Sequence, residues 1–232
     1  IDNYAKNHGF YYFNPDYIVF KMDTSGKKRT VTFYPGFKTG LPERATRPYR
    51  IGEVNIYPDY KLGKDDSLST HKEVIDTVNY YNETGYIRPM PVIRSVYLRN
   101  NSIYSRRKHN MTLNRLNGLG VFKFVNVHIT NADSSSFLRT NIYLTPLPKK
   151  SISIEVQGVS KSNNFVGPGV NFGLRNRNSF KGAELMVYNV RTSFETQISG
   201  AYSGKITYEV NPHGELYVSR FITPFKMKEI GL

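Results

Sequence analysis

Residues 151–174 read SISIEVQGVSKSNNFVGPGVNFGL, and their pattern decides the fold. Ser151–Gly158 alternates strictly, with Ile152, Ile154 and Val156 set against Ser153, Glu155 and Gln157. Val170, Phe172 and Leu174 repeat the pattern against Asn171, Gly173 and Arg175. Period two marks a strand with one apolar and one wet face. The connection Ser160–Gly167 holds the Ser, Asn and Gly that a hairpin requires. Two longer β runs follow, at about 183–199 and 205–221, with Arg175–Lys181 and Ala201–Gly204 as links. No helix signal remains after residue 150.

Upstream the pattern mixes helix and strand. Ser105–Asn117 is the clearest helix: Ser105 is a good N-cap, Leu113 and Leu116 share a face, and Gly118 and Gly120 stop it. A strand follows at Val121–Ile129, with Val121, Val125, Val127 and Ile129 in phase. The turn-rich loop Asn131–Ser136 leads to a second strand, Phe137–Leu144, with Leu138, Ile142 and Leu144 in phase, and Pro146 and Pro148 close the unit. The unit opens at Tyr49, where Ile51, Val54 and Ile56 suggest a strand with a slip near Glu53. Residues 60–89 are polar and Tyr-rich; Lys72–Tyr81 can be drawn as a helix. Pro89 and Pro91 precede the apolar run Val92–Leu98. Residues 38–48, with Gly40, Pro42 and Pro48, read as a linker. At the start, residues 1–8 read as the end of a helix with Gly9 at C′. Strands at Tyr17–Met22 and Arg29–Tyr34 are then joined by Asp23-Thr24-Ser25-Gly26.

Composition narrows the function classes. Tyr (18) and Phe (14) dominate the aromatics and Trp is absent, a bias toward strands and water–apolar boundaries. The net charge of +14 attracts anions, including nucleic acid, phospholipid headgroups and acidic chains, without choosing among them. There is no cysteine, so disulfides and thiolate chemistry are excluded. No stretch approaches the roughly 18 apolar residues of a membrane helix, which bears on helical spanning alone. The chain begins at Ile1 without a signal peptide, which implies a mature or truncated start.

The stretch YSRRKHNMTLNRLNGLGVFKFVNVHI (104–129) resembles the second helix and following strand of a POTRA domain, and FLRTNIYLTPLPK (137–149) its last strand. The order strand, helix, helix, strand, strand suits 49–149, and residues 1–37 look like the tail of a preceding POTRA. Beyond 150 the resemblance is to the barrel of the BamA/TamA outer-membrane assembly superfamily, closest to TamA-like proteins of Bacteroidetes. SISIEVQG (151–158) resembles the first barrel strand. GPGVNFGLRNRNSFKGAEL (167–185) resembles the second strand, its turn and the start of the third, and RFITPF (220–225) the end of the fourth. The family's later extracellular-loop motif and a terminal aromatic residue are absent. A full barrel of this family has about 16 strands and only about four fit here, so the resemblance implies a piece of a longer protein.

The expected fold is therefore α+β POTRA modules followed by antiparallel strands of an incomplete transmembrane β-barrel. The expected boundaries are 1–46 for the end of one POTRA and a linker, 47–150 for a POTRA domain, and 151–232 for the first barrel strands. The resemblance implies a Gram-negative outer-membrane location with the POTRA part in the periplasm. It implies assistance in inserting outer-membrane proteins or envelope components, or, as the alternative, a polypeptide secretion pore. Nascent outer-membrane proteins, other envelope-assembly subunits and outer-membrane lipid are the implied partners. Ser151, Ile152, Ser153, Ile154, Glu155, Val156, Gln157 and Gly158 would form the strand at the laterally opening seam. Ile152, Ile154, Val156, Val170, Phe172 and Leu174 would face lipid, and Ser153, Glu155, Asn171 and Arg175 the lumen. The connections near Asn163-Asn164 and Ala201–Gly204 would be extracellular, and those at Arg175–Phe180 and Thr223-Pro224 periplasmic.

The residues point away from catalysis, cofactors and metals. His8, His71, His109, His128 and His213 are scattered without ligand spacing, Asp65-Asp66 is an isolated pair in a polar loop, and no nucleophile elbow or phosphate loop exists. A basic nucleic-acid or surface-binding module is the competing class, but no nucleic-acid signature occurs and no nucleic-acid partner is expected.

Overall fold

The computed structural model describes residues 1–24, 31–61, 71–131, 136–200 and 203–219. Asp65-Asp66, RFITPF (220–225) and Thr223-Pro224 lie outside these residues, as do parts of the turns at 23–26, 131–136 and 201–204. Helix α1 (Asp2–Asn7) ends where Gly9 adopts φ 97°, the conformation expected of a C′ glycine. Strands β1 (Ile18–Asp23) and β2 (Thr32–Phe37) pair antiparallel, with Phe20 opposite Pro35 and Met22 opposite Phe33. The second strand runs later than the expected Arg29–Tyr34, because a two-stranded ribbon tolerates Pro35 and Gly36 in its ladder. A single helical turn, α2 (Glu43–Thr46), interrupts the linker.

The main sheet is mixed. It contains β3 (Arg50–Tyr57), β4 (Lys72–Ile75), β5 (Val78–Tyr81), β6 (Phe122–Asn131) and β7 (Phe137–Pro146), in the order β4-β5-β3-β7-β6. Strand β3 runs parallel to both β5 and β7. The expected slip is a register shift between Ile51 and Glu53. An added Cβ at the intervening Gly52 would stand 3.1 Å from Phe137 Cβ, so the bulge brings the strands close. Residues 72–81 are not a helix. They are a two-residue hairpin, with Asp76 at φ 49° and Thr77 at φ 66° in the left-handed region that matches strand twist. Burial decides the outcome, since Val78 and Tyr80 are fully enclosed.

The core contains Ile51, Val54 and Ile56 of β3, Leu138, Ile142 and Leu144 of β7, and Val92, Ile93 and Val96. The helices are α3 (Pro89–Ile93), one turn only, and α4 (Arg106–Gly118). Leu116 of α4 is fully buried, whereas Val125 of β6, in phase with the buried Val121 and Ile129, is half-buried. Thr112 is also enclosed. Its hydroxyl donates to Lys108 O (2.9 Å) and accepts from Tyr97 N (2.9 Å), so a polar side chain in the core leaves no amide unsatisfied there. The α4 cap differs from expectation. The Asn7 side chain, not Ser105, accepts from Arg107 N (2.8 Å), while Ser105 Oγ donates to the same Asn7 oxygen (3.2 Å). Asp2 pairs with Arg106 beside it.

The outer face of this sheet carries matching rows. Tyr81, Tyr57 and Tyr143 stack across β5, β3 and β7 with ring centroids 4.6 and 5.2 Å apart. Desolvation, with the neighbouring tyrosines adding to it, pushes the Tyr57 hydroxyl up to about 12. One row over, Asn79 donates to Asn55 (2.7 Å) and Asn55 to Asn141 (2.9 Å). Cross-strand pairs of this kind fix register.

After residue 149 the chain forms an antiparallel meander: β8 (Lys150–Ser160), β9 (Phe165–Arg177), β10 (Leu185–Gln197) and β11 (Ile206–Tyr217), in the order β11-β10-β9-β8. The chain divides into two units. One comprises Ile1–Thr84, Val92–Asn117 and Phe124–Thr145; the other comprises Gly85–Pro91, Gly118–Lys123 and the chain from Pro146. The meander thus holds two short segments from earlier in the sequence.

Candidate membrane interface

The register of β8–β11 sorts every side chain onto one of two faces. Ile152 stands opposite Leu174, Leu174 opposite Tyr188 and Tyr188 opposite Gly214. The next rows are Ile154–Phe172–Val190–Pro212 and Val156–Val170–Thr192–Val210. Phe194 and Tyr208 extend the face, their rings 5.2 Å apart. Leu174 is half-buried, while Ile152 and Ile154 are each 66% exposed and Val156 79%. A face this apolar is not matched to water.

The opposite face is polar. Its rows are Ser151–Arg175–Val187–Glu215, Ser153–Gly173–Asn189–His213 and Glu155–Asn171–Arg191–Asn211. Asn171 donates to Glu155 (3.3 Å). Lys161, in the β8–β9 turn, sets its ammonium between the buried Glu195 (2.9 Å) and Glu209 (2.6 Å), and Ser193 donates to Glu195 (2.7 Å). Gly167 makes room on this face, since an added Cβ would fall 1.8 Å from Phe194 O. Among the described residues no three His, Asp or Glu side chains converge to hold a metal.

The six residues expected on one face, Ile152, Ile154, Val156, Val170, Phe172 and Leu174, do share it, and Ser153, Glu155, Asn171 and Arg175 lie on the other. Ser151–Gly158 falls within β8, one of the two edge strands, with β11 at the other edge. The far edge of β8 pairs with no strand among the described residues. The β8–β9 and β10–β11 connections share an end, where Ile198 N donates to Asn164 O (2.9 Å). The β9–β10 connection marks the other end.

That connection holds a feature the sequence did not announce. Asn178 is 1% exposed at φ 56°. Its amide donates to Tyr86 O, its side-chain oxygen accepts from Ala183 N (3.0 Å), and its backbone N–H donates to Glu184 O (2.6 Å). The buried Glu184 carboxylate takes the amides of Gly182 (2.9 Å) and Phe180 (3.3 Å). Arg88 N donates to Lys181 O (2.8 Å), and the Tyr86 hydroxyl is shared between Val121 O and Leu147 O, both at 3.3 Å. The connection is therefore latched to residues 85–91 and, through Tyr86, to 118–123. The sequence signal was slight: two asparagines that tolerate left-handed backbone, and a single acid in a basic stretch.

No family model matches the chain, and no curated protein does. Among solved structures, it is similar to BamA from Haemophilus ducreyi lacking POTRA domains 1–3, at 12% identity and a TM-score of 0.48, over 88% of this chain and 33% of that one. It is also similar to CdiB from Acinetobacter baumannii, at 14% identity and a TM-score of 0.41, over 83% of this chain and 28% of that one. The chain spans about a third or less of the length of either. What the sheet can do is set by its own geometry.

Proposed function

We propose that β8–β11 form part of the wall of an outer-membrane β-barrel, and that the protein assists the insertion of outer-membrane proteins at the open edge of β8. The apolar band across all four strands carries this reading. On β10 it runs from Met186 to Phe194, eight residue steps or about 26 Å along the strand. At a tilt of about 40° that is roughly 20 Å of height, most of the about 25 Å apolar band of an outer-membrane barrel. In lipid every backbone polar group must find a partner. An unpaired β8 edge is then a strong acceptor for a client strand, whose amides and carbonyls would complete the ladder. The mixed α/β unit would act from the periplasm as a client-binding module, with envelope-assembly subunits as further partners. No step breaks a covalent bond.

Single cysteines introduced into the full-length protein test the placement. Position 163 should react with a membrane-impermeant reagent on intact cells and position 178 should not; the reverse pattern contradicts the topology. A disulfide engineered from β8 to the strand that closes the barrel tests the mechanism. It should stop client insertion while leaving the barrel folded. If a locked seam leaves insertion at full rate, β8 is not the entry edge and a secretion pore becomes the better reading.

A further inference from the structure

We propose that the end of the β8–β11 sheet marked by the Asn178–Glu184 connection is a collar that docks anionic phospholipid headgroups; this rests on the barrel-wall reading above. Six cations lie at that end: Arg88, Lys149, Lys150 and Lys181, with Arg175 and Arg177 beside them on the polar face. They come from three stretches of chain joined by backbone hydrogen bonds, Arg88 N to Lys181 O at 2.8 Å and Arg177 N to Lys149 O at 2.7 Å. Lys150 stands opposite Asn176 in the β8–β9 ladder, and Ser151 opposite Arg175. Arg177 is half-buried, with Nη1 donating to Ser151 Oγ (3.1 Å) and Pro148 O (3.4 Å), and the other five are exposed.

None of the six forms an ion pair among the described residues. The one acid within the connection, Glu184, is buried and engaged by the amides of Gly182 and Phe180. On β11, Glu215 is engaged by His213 (2.7 Å) and Tyr217. The other end of the sheet is built differently, because there Lys161 is matched by Glu195 and Glu209. Among the described residues, the cations at the Asn178–Glu184 end thus stand without the carboxylate partners that Lys161 has.

Its place beside the apolar band selects the ligand. Lys150 precedes Ile152 by two residues and so lies on the same face, one step beyond the band. Phe180, exposed within the connection, adds an apolar side chain at that level. A long cationic stem on an apolar surface carries its ammonium to the headgroup layer. A phosphodiester there meets lysine ammonium and arginine guanidinium groups at the depth where a lipid places it. A nucleic acid has no comparable reason to sit against this band.

The test uses full-length protein in phosphatidylcholine bilayers doped with spin-labelled phosphatidylglycerol or spin-labelled phosphatidylcholine. The readout is the relative association of each lipid with the protein. The wild type should prefer phosphatidylglycerol. Arg88→Gln, Lys149→Gln, Lys150→Gln and Lys181→Gln combined should lower that preference about tenfold or more. Two comparison proteins should retain it. One exchanges Lys for Arg and Arg for Lys at those four positions. The other carries Gln at Lys21, Lys38, Arg94 and Arg115, exposed cations elsewhere. Equal loss in the second comparison protein would show a net-charge effect and overturn the collar, as would an unchanged preference in the neutralised variant. Loss of the preference on adding inorganic phosphate at constant ionic strength would assign the cations to free phosphate instead. If the wild type does not insert into pure phosphatidylcholine, the barrel-wall reading falls and the collar with it. Insertion without a phosphatidylglycerol preference overturns the collar alone.

Discussion

Phe172→Arg separates a membrane-facing sheet from one that meets water. Phe172 lies on β9 between Ile154 and Val190 in the apolar rows. The band on β10 runs from Met186 to Phe194, so its midpoint is Val190, which stands opposite Phe172. Neighbouring strands lie about 4.8 Å apart, so at a tilt near 40° Phe172 lies within roughly 3 Å of the bilayer midplane. An arginine at that depth costs about 2–4 kcal/mol, which is roughly thirtyfold to several-hundredfold in the folding equilibrium. On a sheet facing water the same exchange at this partly exposed position would stay within about 0.5 kcal/mol. Asn171→Arg is the matched control, one residue away on the polar face beside Glu155. Equilibrium folding of the full-length protein into phospholipid vesicles, followed by protease protection, measures both. If Phe172→Arg folds as well as Asn171→Arg, the assignment of faces is refuted.

Asn178→Ala should destabilise the meander by about 2–4 kcal/mol, because two side-chain hydrogen bonds are lost and alanine is strained at φ 56°. Asn178→Gly should recover the backbone part only, and hydrogen exchange at Arg88 N should accelerate in both variants. Leu116→Ala should cost about 2–5 kcal/mol in a thermal melt, since the side chain is fully enclosed. Burial lowers the His109 pKa below 6.5, so the folded state resists its protonation. The unfolded chain then binds more protons as pH falls, and the stability present above about pH 6.5 is lost progressively below it. His109→Gln should flatten the dependence of melting temperature on pH between about 7 and 5.

The faces of β8 and β9 were legible in the sequence because period two repeats over enough residues to exclude a helix. The slip near Glu53 was legible for the same reason, as a break in phase that the Gly52 bulge accounts for. Residues 72–81 were not, because Asp76-Thr77 is an unusual pair for a turn with two positive φ values and Val78 and Tyr80 reveal their burial only once β3 lies beside them. The α4 cap was misread because the true acceptor, Asn7, is about a hundred residues away in sequence. Asn178 is a residue type that tolerates left-handed backbone, but its partner Tyr86 could not be inferred from spacing. The cationic collar was hidden in part: the β8–β9 hairpin places Lys150 beside Arg175–Arg177, but only the fold adds Arg88 to them.

Nitroxide labels along β8 test the central claim most directly, and no native cysteine among these 232 residues competes for the label. One label at a time would replace residues 151 to 157 in the full-length protein, reconstituted in bilayers. Collision with oxygen, which dissolves in lipid, is compared with collision with a water-soluble nickel chelate. The account predicts period-two alternation, with labels at 152, 154 and 156 favouring oxygen and those at 151, 153, 155 and 157 favouring nickel. Uniform access of nickel to all seven positions would contradict it.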